Sequence, residues 1–249
     1  MIYDIDAETV KRDIRALCEG DGIMAGLMVS KFYFFHHILK VKVPSKGQGD
    51  KRFVSFFDVY ADIKNLMNSY DYIKRAVEYS MNRFPRKELP YHVYDAYRLY
   101  YGHVSIFKPM IAKRLVQLFH PSIVVDPCCG WGSRMIGCIA GGCDRYIGFD
   151  TNHELMDVYG MMCRDLGISN KVKISCQDCL QVRYDEISYD MLITSPPYYN
   201  TEVYVDMECR ERISWDAWYH ACISLWWRHL RIGGVMALSI PFSVYKIAV

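Results

Sequence analysis

Apolar residues follow two different rhythms along this chain. Over the first hundred positions the rhythm is helical. Ile5, Val10, Ile14 and Leu17 recur at helical spacing around residues 6–18, and Gly20-Asp21-Gly22 then breaks the chain. Ile63, Leu66, Met67, Tyr70, Ile73, Val77 and Met81 repeat in the same way, predicting one long helix over 58–83 that Pro85 ends. From residue 122 the rhythm shortens. Compact runs at 122–126 (SIVVD), 145–150 (RYIGFD), 171–175 (KVKIS), 191–194 (MLIT) and 235–240 read as strands of a buried parallel sheet. Helices are predicted at 109–119, at 135–140 and at 214–230, the last capped by Ser214. Strands alternating with helices in this way predict an α/β fold. No internal repeat or low-complexity tract interrupts it.

Two stretches do not resolve on pattern alone. Residues 30–43 are aromatic and basic, with Lys31, Phe32, Tyr33, Phe34, Phe35, Lys40 and Lys42 interleaved. Such a mixture stacks bases and holds phosphates in some proteins and is a core stripe in more of them. Residues 44–52 form a polar loop with Gly, Pro and the basic Lys46, Lys51 and Arg52, suited either to contacting a polyanion or to lying in solvent.

Composition narrows the class. At 249 residues the chain fits one large domain or a domain with an appendage. A net charge of +2 argues against a strongly basic nucleic-acid protein without excluding a local patch. No apolar run reaches the roughly 18 residues of a membrane span. Charged side chains throughout residues 1–20 do not suit a signal peptide, so the ten scattered cysteines read as reduced thiols and the location as cytoplasmic. Cys176 and Cys179 make a lone C-x-x-C. With no second pair at matching spacing, no metal site is expected.

The candidate chemistry lies at strand ends, where ligands sit in open α/β sheets. Asp126-Pro127-Cys128-Cys129-Gly130-Trp131-Gly132 joins a strand to a helix, the arrangement in which glycines let a ligand approach backbone and the helix N-terminus. The third glycine of a dinucleotide fingerprint is absent, since Met135 stands there. Asp150 ends the next strand, 20 residues after Gly130, the spacing of an acid that reaches ribose hydroxyls. Asp178 follows the third strand. The fourth runs into Ser195-Pro196-Pro197-Tyr198, where the prolines stop the strand and stiffen the turn. Ser195 Oγ and the Pro196 carbonyl are placed to accept from one NH2 group, and Tyr198 to cover the ring bearing it. A proline turn after a core strand is the plainer alternative.

Together these pieces resemble the S-adenosylmethionine-dependent DNA amino-methyltransferases, with their cofactor motif D-P-x-x-G-x-G and catalytic motif (D/N/S)-P-P-(Y/F/W). The resemblance covers roughly residues 103–241. It implies a class I methyltransferase (Rossmann-like) parallel sheet in spatial order 3-2-1-4-5, with a mainly helical N-terminal extension. It implies domains at 1–88, of uncertain role in target recognition, and at 89–249, the latter without room for the family's usual C-terminal β-hairpin. It implies S-adenosyl-L-methionine held by Phe107, Lys108, Pro109, Asp126, Pro127, Cys128, Gly130, Gly132, Asp150 and Asp178, and catalysis by Ser195, Pro196, Pro197 and Tyr198. The segment before Phe107 departs from the family's H-P-x-x-K-P: Val104 replaces the first proline, and one extra residue separates His103 from Lys108. The expected partner is DNA, with the target base flipped out, in a setting such as restriction-modification. The expected reaction is methylation of cytosine N4 or adenine N6. An RNA base amine, a protein glutamine amide and a non-catalytic DNA-binding role are the alternatives.

Overall fold

The computed structural model describes residues 2, 5–45, 53–198, 202–203 and 212–248. Loop residues 46–52 and 199–201, which include Lys46, Lys51 and Arg52, lie outside the described residues. In chain order the helices are α1 (Ala7–Glu19), α2 (Leu27–Lys40), α3 (Phe56–Ala61), α4 (Ile63–Ser69), α5 (Asp71–Arg83), α6 (Leu89–Tyr100), α7 (Pro109–Phe119), α8 (Ser133–Gly141), α9 (Glu154–Asp165), α10 (Arg212–His229) and α11 (Phe242–Ala248). The strands are β1 (Val43–Pro44), β2 (Phe53–Val54), β3 (Ile123–Asp126), β4 (Arg145–Asp150), β5 (Val172–Cys176), β6 (Met191–Thr194) and β7 (Val235–Leu238). Among the described residues no helix is long and apolar enough to cross a membrane.

The chain divides into two compact units. One gathers Asp6–Phe35, Ile106–Tyr199 and Arg210–Val249 around a five-stranded sheet. All its strand pairs are parallel, in the order β5-β4-β3-β6-β7. Counted within the sheet this is 3-2-1-4-5, the Rossmann-like order expected. The central strands are buried at almost every position, because a parallel strand covered on both faces has no solvent side. Val125 and Leu192 pack with Cys222 and Trp226 of α10. Helices α7 and α8 approach so closely that a Cβ on Gly137 would lie 2.2 Å from the Pro109 carbonyl oxygen. Glycine is therefore required there for space, and the contact fixes the residues that precede α7.

Helix α1 joins this unit through a buried lysine. Lys113 of α7 donates to the carbonyls of Leu17 and Cys18 at 2.7 and 2.6 Å, adding to the Gly20 N–H that closes the end of α1 on Ala16 and Leu17. Asp13 of α1 in turn accepts from the Met28 and Val29 N–H groups at the start of α2. The aromatic stretch of α2 places Phe34, fully buried, against Trp131 and Tyr159, so the core reading holds for that side chain. Phe32 is exposed.

The second unit gathers Met1–Ile5, His36–Ser105 and Asn200–Cys209. Here α5 packs on α6, and Phe56 sits among Tyr60, Tyr94 and Tyr97. The single long helix expected over 58–83 is instead three. Ser55 caps α3 in a reciprocal box with Asp58, Asp62 interrupts the next turn, and Tyr70 adopts an extended conformation. At Tyr70 the extended backbone conformation ends the helix that the apolar repeat would continue, and no side chain caps the helix that follows. Strands β1 and β2 pair antiparallel, flanking the loop at 46–52. Helix α10 begins at Arg212, so Ser214 lies within its first turn rather than at its cap.

Candidate active site at the sheet rim

Because the strands are parallel, their C-terminal ends bring the cofactor-type loop, Asp150, Asp178 and the proline turn to one rim. The loop after β3 is built around a buried charge. The Asp126 carboxylate, with no exposed surface, accepts from Arg134 Nε at 2.6 Å and from the Tyr146 hydroxyl at 2.7 Å. The same guanidinium donates to the Cys128 carbonyl and lies 5.5 Å from the Phe107 ring centroid. The Cys128 N–H is shared between Asp126 Oδ1 and Thr194 Oγ1, at 3.3 and 3.2 Å, which ties the loop to the end of β6. Asp126 thus faces its own loop, and Pro127 and Cys128 are held by its network.

Both glycines of the motif are left-handed, Gly130 at φ 59° and Gly132 at φ 69°. A Cβ on Gly132 would also press on Phe34 at 2.9 Å. A Cβ added on Gly130 would meet Arg134 and the Cys128 carbonyl only at ordinary contact distance, 3.8 and 3.9 Å, so its φ and not space is what calls for glycine. Its N–H donates to Asp150 Oδ2 at 2.9 Å, and its carbonyl accepts from the Tyr159 hydroxyl at 2.6 Å. Asp150 Oδ1 accepts from the Asn152 N–H at 3.0 Å. Burial pushes the Asp150 carboxyl up to about 6, against the opposing pull of these two N–H groups. A carboxylate has about four acceptor positions, so capacity remains for a ligand's hydroxyls. Half-buried Asp178 accepts from the Leu180 N–H at 2.8 Å through one oxygen. Lys108 is exposed at the N-cap of α7, and Pro109 takes the first helical position, where a missing N–H costs nothing.

The proline turn is held by hydroxyls. Tyr198 donates to the Ser239 carbonyl at 3.1 Å, and its oxygen lies 2.9 Å from Ser195 Oγ. A carbonyl only accepts, so Tyr198 is the donor to Ser239, whereas its contact with Ser195 Oγ can run in either direction. Tyr219 of α10 donates to the Pro197 carbonyl, fixing the turn from below.

No family model matches the chain. Among solved structures it is similar to TrmN from Thermus thermophilus, at 16% identity and TM-score 0.45 over 57% of this chain and 41% of that one. It is similar to a SAM-dependent O-methyltransferase from Thermotoga maritima, at 16% identity and TM-score 0.44 over 59% of this chain and 49% of that one. It is also similar to an rRNA methylase from Streptococcus thermophilus, at 17% identity and TM-score 0.39 over 56% and 73%. The chain spans less than half the length of the first two structures. The fold assignment rests on the strand order itself.

Several residues that build the rim carry no motif. Arg134, Tyr146 and Tyr159 set the loop, Thr194 and Tyr219 brace the turn, and Ser239 orients Tyr198 through its backbone. Only Arg134, in the first turn of the helix after the loop and two residues past Gly132, offers a sequence signal, since a cation there faces an acid at the strand end. Among the described residues no group of three or more His, Cys, Asp or Glu is arranged to hold a metal ion. The C-x-x-C sulfurs part company: Cys176 is exposed near the Thr151 carbonyl, while Cys179 is buried 3.7 Å from Cys222.

Proposed function

We propose that this chain transfers a methyl group from S-adenosyl-L-methionine to the exocyclic amine of cytosine (N4) or adenine (N6) in DNA. The observation that carries the reading is the place of Ser195 at the strand end, part-buried and 2.9 Å from the Tyr198 hydroxyl, in a turn where its oxygen can accept from an NH2 group.

The residues present fit the cofactor. Gly130 and Gly132 carry no side chain at the loop, Asp150 keeps acceptor capacity for ribose hydroxyls, and Asp178 has a second carboxylate oxygen for an adenine amine. Phe107, Lys108 and Pro109 would border its methionine end. When bound, S-adenosylmethionine supplies an activated methyl group on a sulfonium. The protein's own part is to position and polarise. Ser195 Oγ and the Pro196 carbonyl would accept the two amine hydrogens, drawing the nitrogen out of conjugation with its ring and turning its lone pair toward the methyl group. Pro196 and Pro197 would keep these acceptors in place, and the Tyr198 ring would lie against the base. In duplex DNA the base must leave the stack to reach the rim. Residues 1–88 would contribute target contacts, with Lys46, Lys51 and Arg52 on phosphates.

The test is incubation with the cofactor and DNA, RNA or protein pools, followed by mass spectrometry of digested nucleosides and peptides. N4-methylcytosine or N6-methyladenine in DNA is expected. Label in RNA or glutamine would move the substrate to those classes, and cofactor binding without transfer to any pool would make the chain a binding protein.

A further inference from the structure

The glycine loop after β3 is gripped by a helix that none of the sequence motifs reaches. Phe34 of α2 has no exposed surface, and each residue of the span Gly130-Trp131-Gly132 is tied to its ring. A Cβ on Gly132 would lie 2.9 Å from the Phe34 ring, so the loop backbone rests directly on that ring. Trp131 is buried, and its ring meets Phe34 edge to face with centroids 6.4 Å apart. Tyr159 of α9 meets Phe34 at 5.0 Å and donates to the Gly130 carbonyl at 2.6 Å. Since both glycines lack a side chain, Trp131 is the only side chain by which this span can be held.

Helix α2 is itself fixed at two points. Asp13 of α1 accepts from the Met28 and Val29 N–H groups at its start. Next to Phe34, the Tyr33 hydroxyl donates at 2.9 Å to Asp165, the last residue of α9, and α9 is the helix that carries Tyr159. The Phe34 ring is therefore a fixed support, and the loop takes its shape from it.

We propose that Phe34 is a positioning residue for S-adenosylmethionine: with Trp131 it holds the backbone of residues 130–132 in the shape that receives the cofactor. The inference rests on the cofactor reading above. Being fully buried, the ring touches no ligand and acts only through the loop. Left-handed glycines have wide conformational freedom, so a loop without its anchor spends part of its time in other shapes. Apparent affinity then falls by the fraction that remains competent. The preference of one aromatic pair corresponds to about a two- to tenfold change.

The experiment measures S-adenosylmethionine affinity by calorimetry in the full chain, in Phe34→Leu and in Val116→Ala, with a thermal melt of each. Val116 is as buried as Phe34 but packs against Gly141, at the opposite end of α8 from the loop, so its truncation removes core packing alone. Phe34→Leu is expected to bind about two- to tenfold more weakly, and Val116→Ala to bind like the parent even where its melt falls as far. Trp131→Ala should reproduce the loss, and Trp131→Phe, which keeps a ring against Phe34, should recover most of it. That pair also serves should Phe34→Leu not fold. In a transfer assay the loss should fall on the KM for the cofactor and not on kcat. Parent affinity in Phe34→Leu, equal weakening in Val116→Ala, or a loss confined to kcat would overturn the inference and leave the cofactor reading standing. A parent chain that binds no S-adenosylmethionine would overturn the cofactor reading, and this inference with it.

Discussion

The glycine loop after β3 and the proline turn after β6 occupy equivalent places on neighbouring strands, yet they are built differently. The loop is fixed by a buried ion pair and its satellites, with side-chain exposures of 6% for Arg134 and 0% for Asp126. The turn is fixed by its own prolines and three hydroxyls, Ser195, Tyr198 and Tyr219, acting on backbone and on each other. A structure that must present backbone to a ligand in one shape gains from a network that cannot relax. The turn instead relies on neutral hydroxyls, which place no charge at the strand end.

This contrast predicts unequal damage. The largest effect belongs to the loop. Arg134→Ala leaves the Asp126 carboxylate buried without its cation, which should cost about 3–5 kcal/mol of stability in denaturant unfolding. A variant within about 1 kcal/mol of the parent would mean that water reaches Asp126. At the turn the loss should fall on activity instead. Tyr198→Ala removes a surface worth about 1–3 kcal/mol per stacked base, and should impair both substrate capture and turnover. Tyr198→Phe keeps the ring but removes the hydroxyl that contacts Ser195 and Ser239, so turnover should drop by the value of a neutral hydrogen bond, about 1 kcal/mol, with stacking intact. Equal activity of Tyr198→Phe and parent would remove the orienting role of the hydroxyl.

A smaller and pH-dependent effect belongs to Asp150. Its folded carboxyl titrates near 6 because of burial, above the usual 3.8. The folded state therefore binds protons that the unfolded state releases. This group's contribution to stability rises as pH falls from about 7 to 5 and declines as pH rises through 6. The parent should accordingly gain stability relative to Asp150→Asn over that fall. Hydroxyl donors on the carboxylate favour its ionised form, so cofactor binding near pH 6 should release protons and weaken below it. Calorimetry in buffers of different ionisation enthalpy measures both.

The smallest effect concerns residues 46–52. Replacing Lys46, Lys51 and Arg52 together should lower DNA affinity and flatten its dependence on salt, because fewer counterions are released. An identical slope would separate that loop from the target.

Much of the sheet was legible in the sequence, because a buried parallel strand leaves a compact apolar run and the bounds of β4 and β6 follow from RYIGFD and MLIT directly. Helix α9 was equally legible, with Leu155, Val158, Tyr159, Met162 and Cys163 on one face, although a reading that moves from strand end to strand end passes over it. The break of 58–83 into three helices was harder to see, since the apolar repeat continues through Asp62 and Tyr70 while the backbone there leaves the helical conformation without a side-chain cap to signal it. At the rim, motifs point to the residues that would touch ligands. They do not point to those that hold them, because Tyr146, Tyr159, Tyr219 and Ser239 act across long sequence separations through single hydrogen bonds that leave no spacing to read.

The division of labour between loop and turn is tested most directly by measuring S-adenosylmethionine affinity in Asp150→Ala and Ser195→Ala side by side. The account predicts that Asp150→Ala loses about 1–3 kcal/mol of binding, the value of hydrogen bonds to a charged group, while Ser195→Ala binds like the parent and is slow only in transfer. Equal loss in both variants, or unchanged affinity in Asp150→Ala, would contradict it.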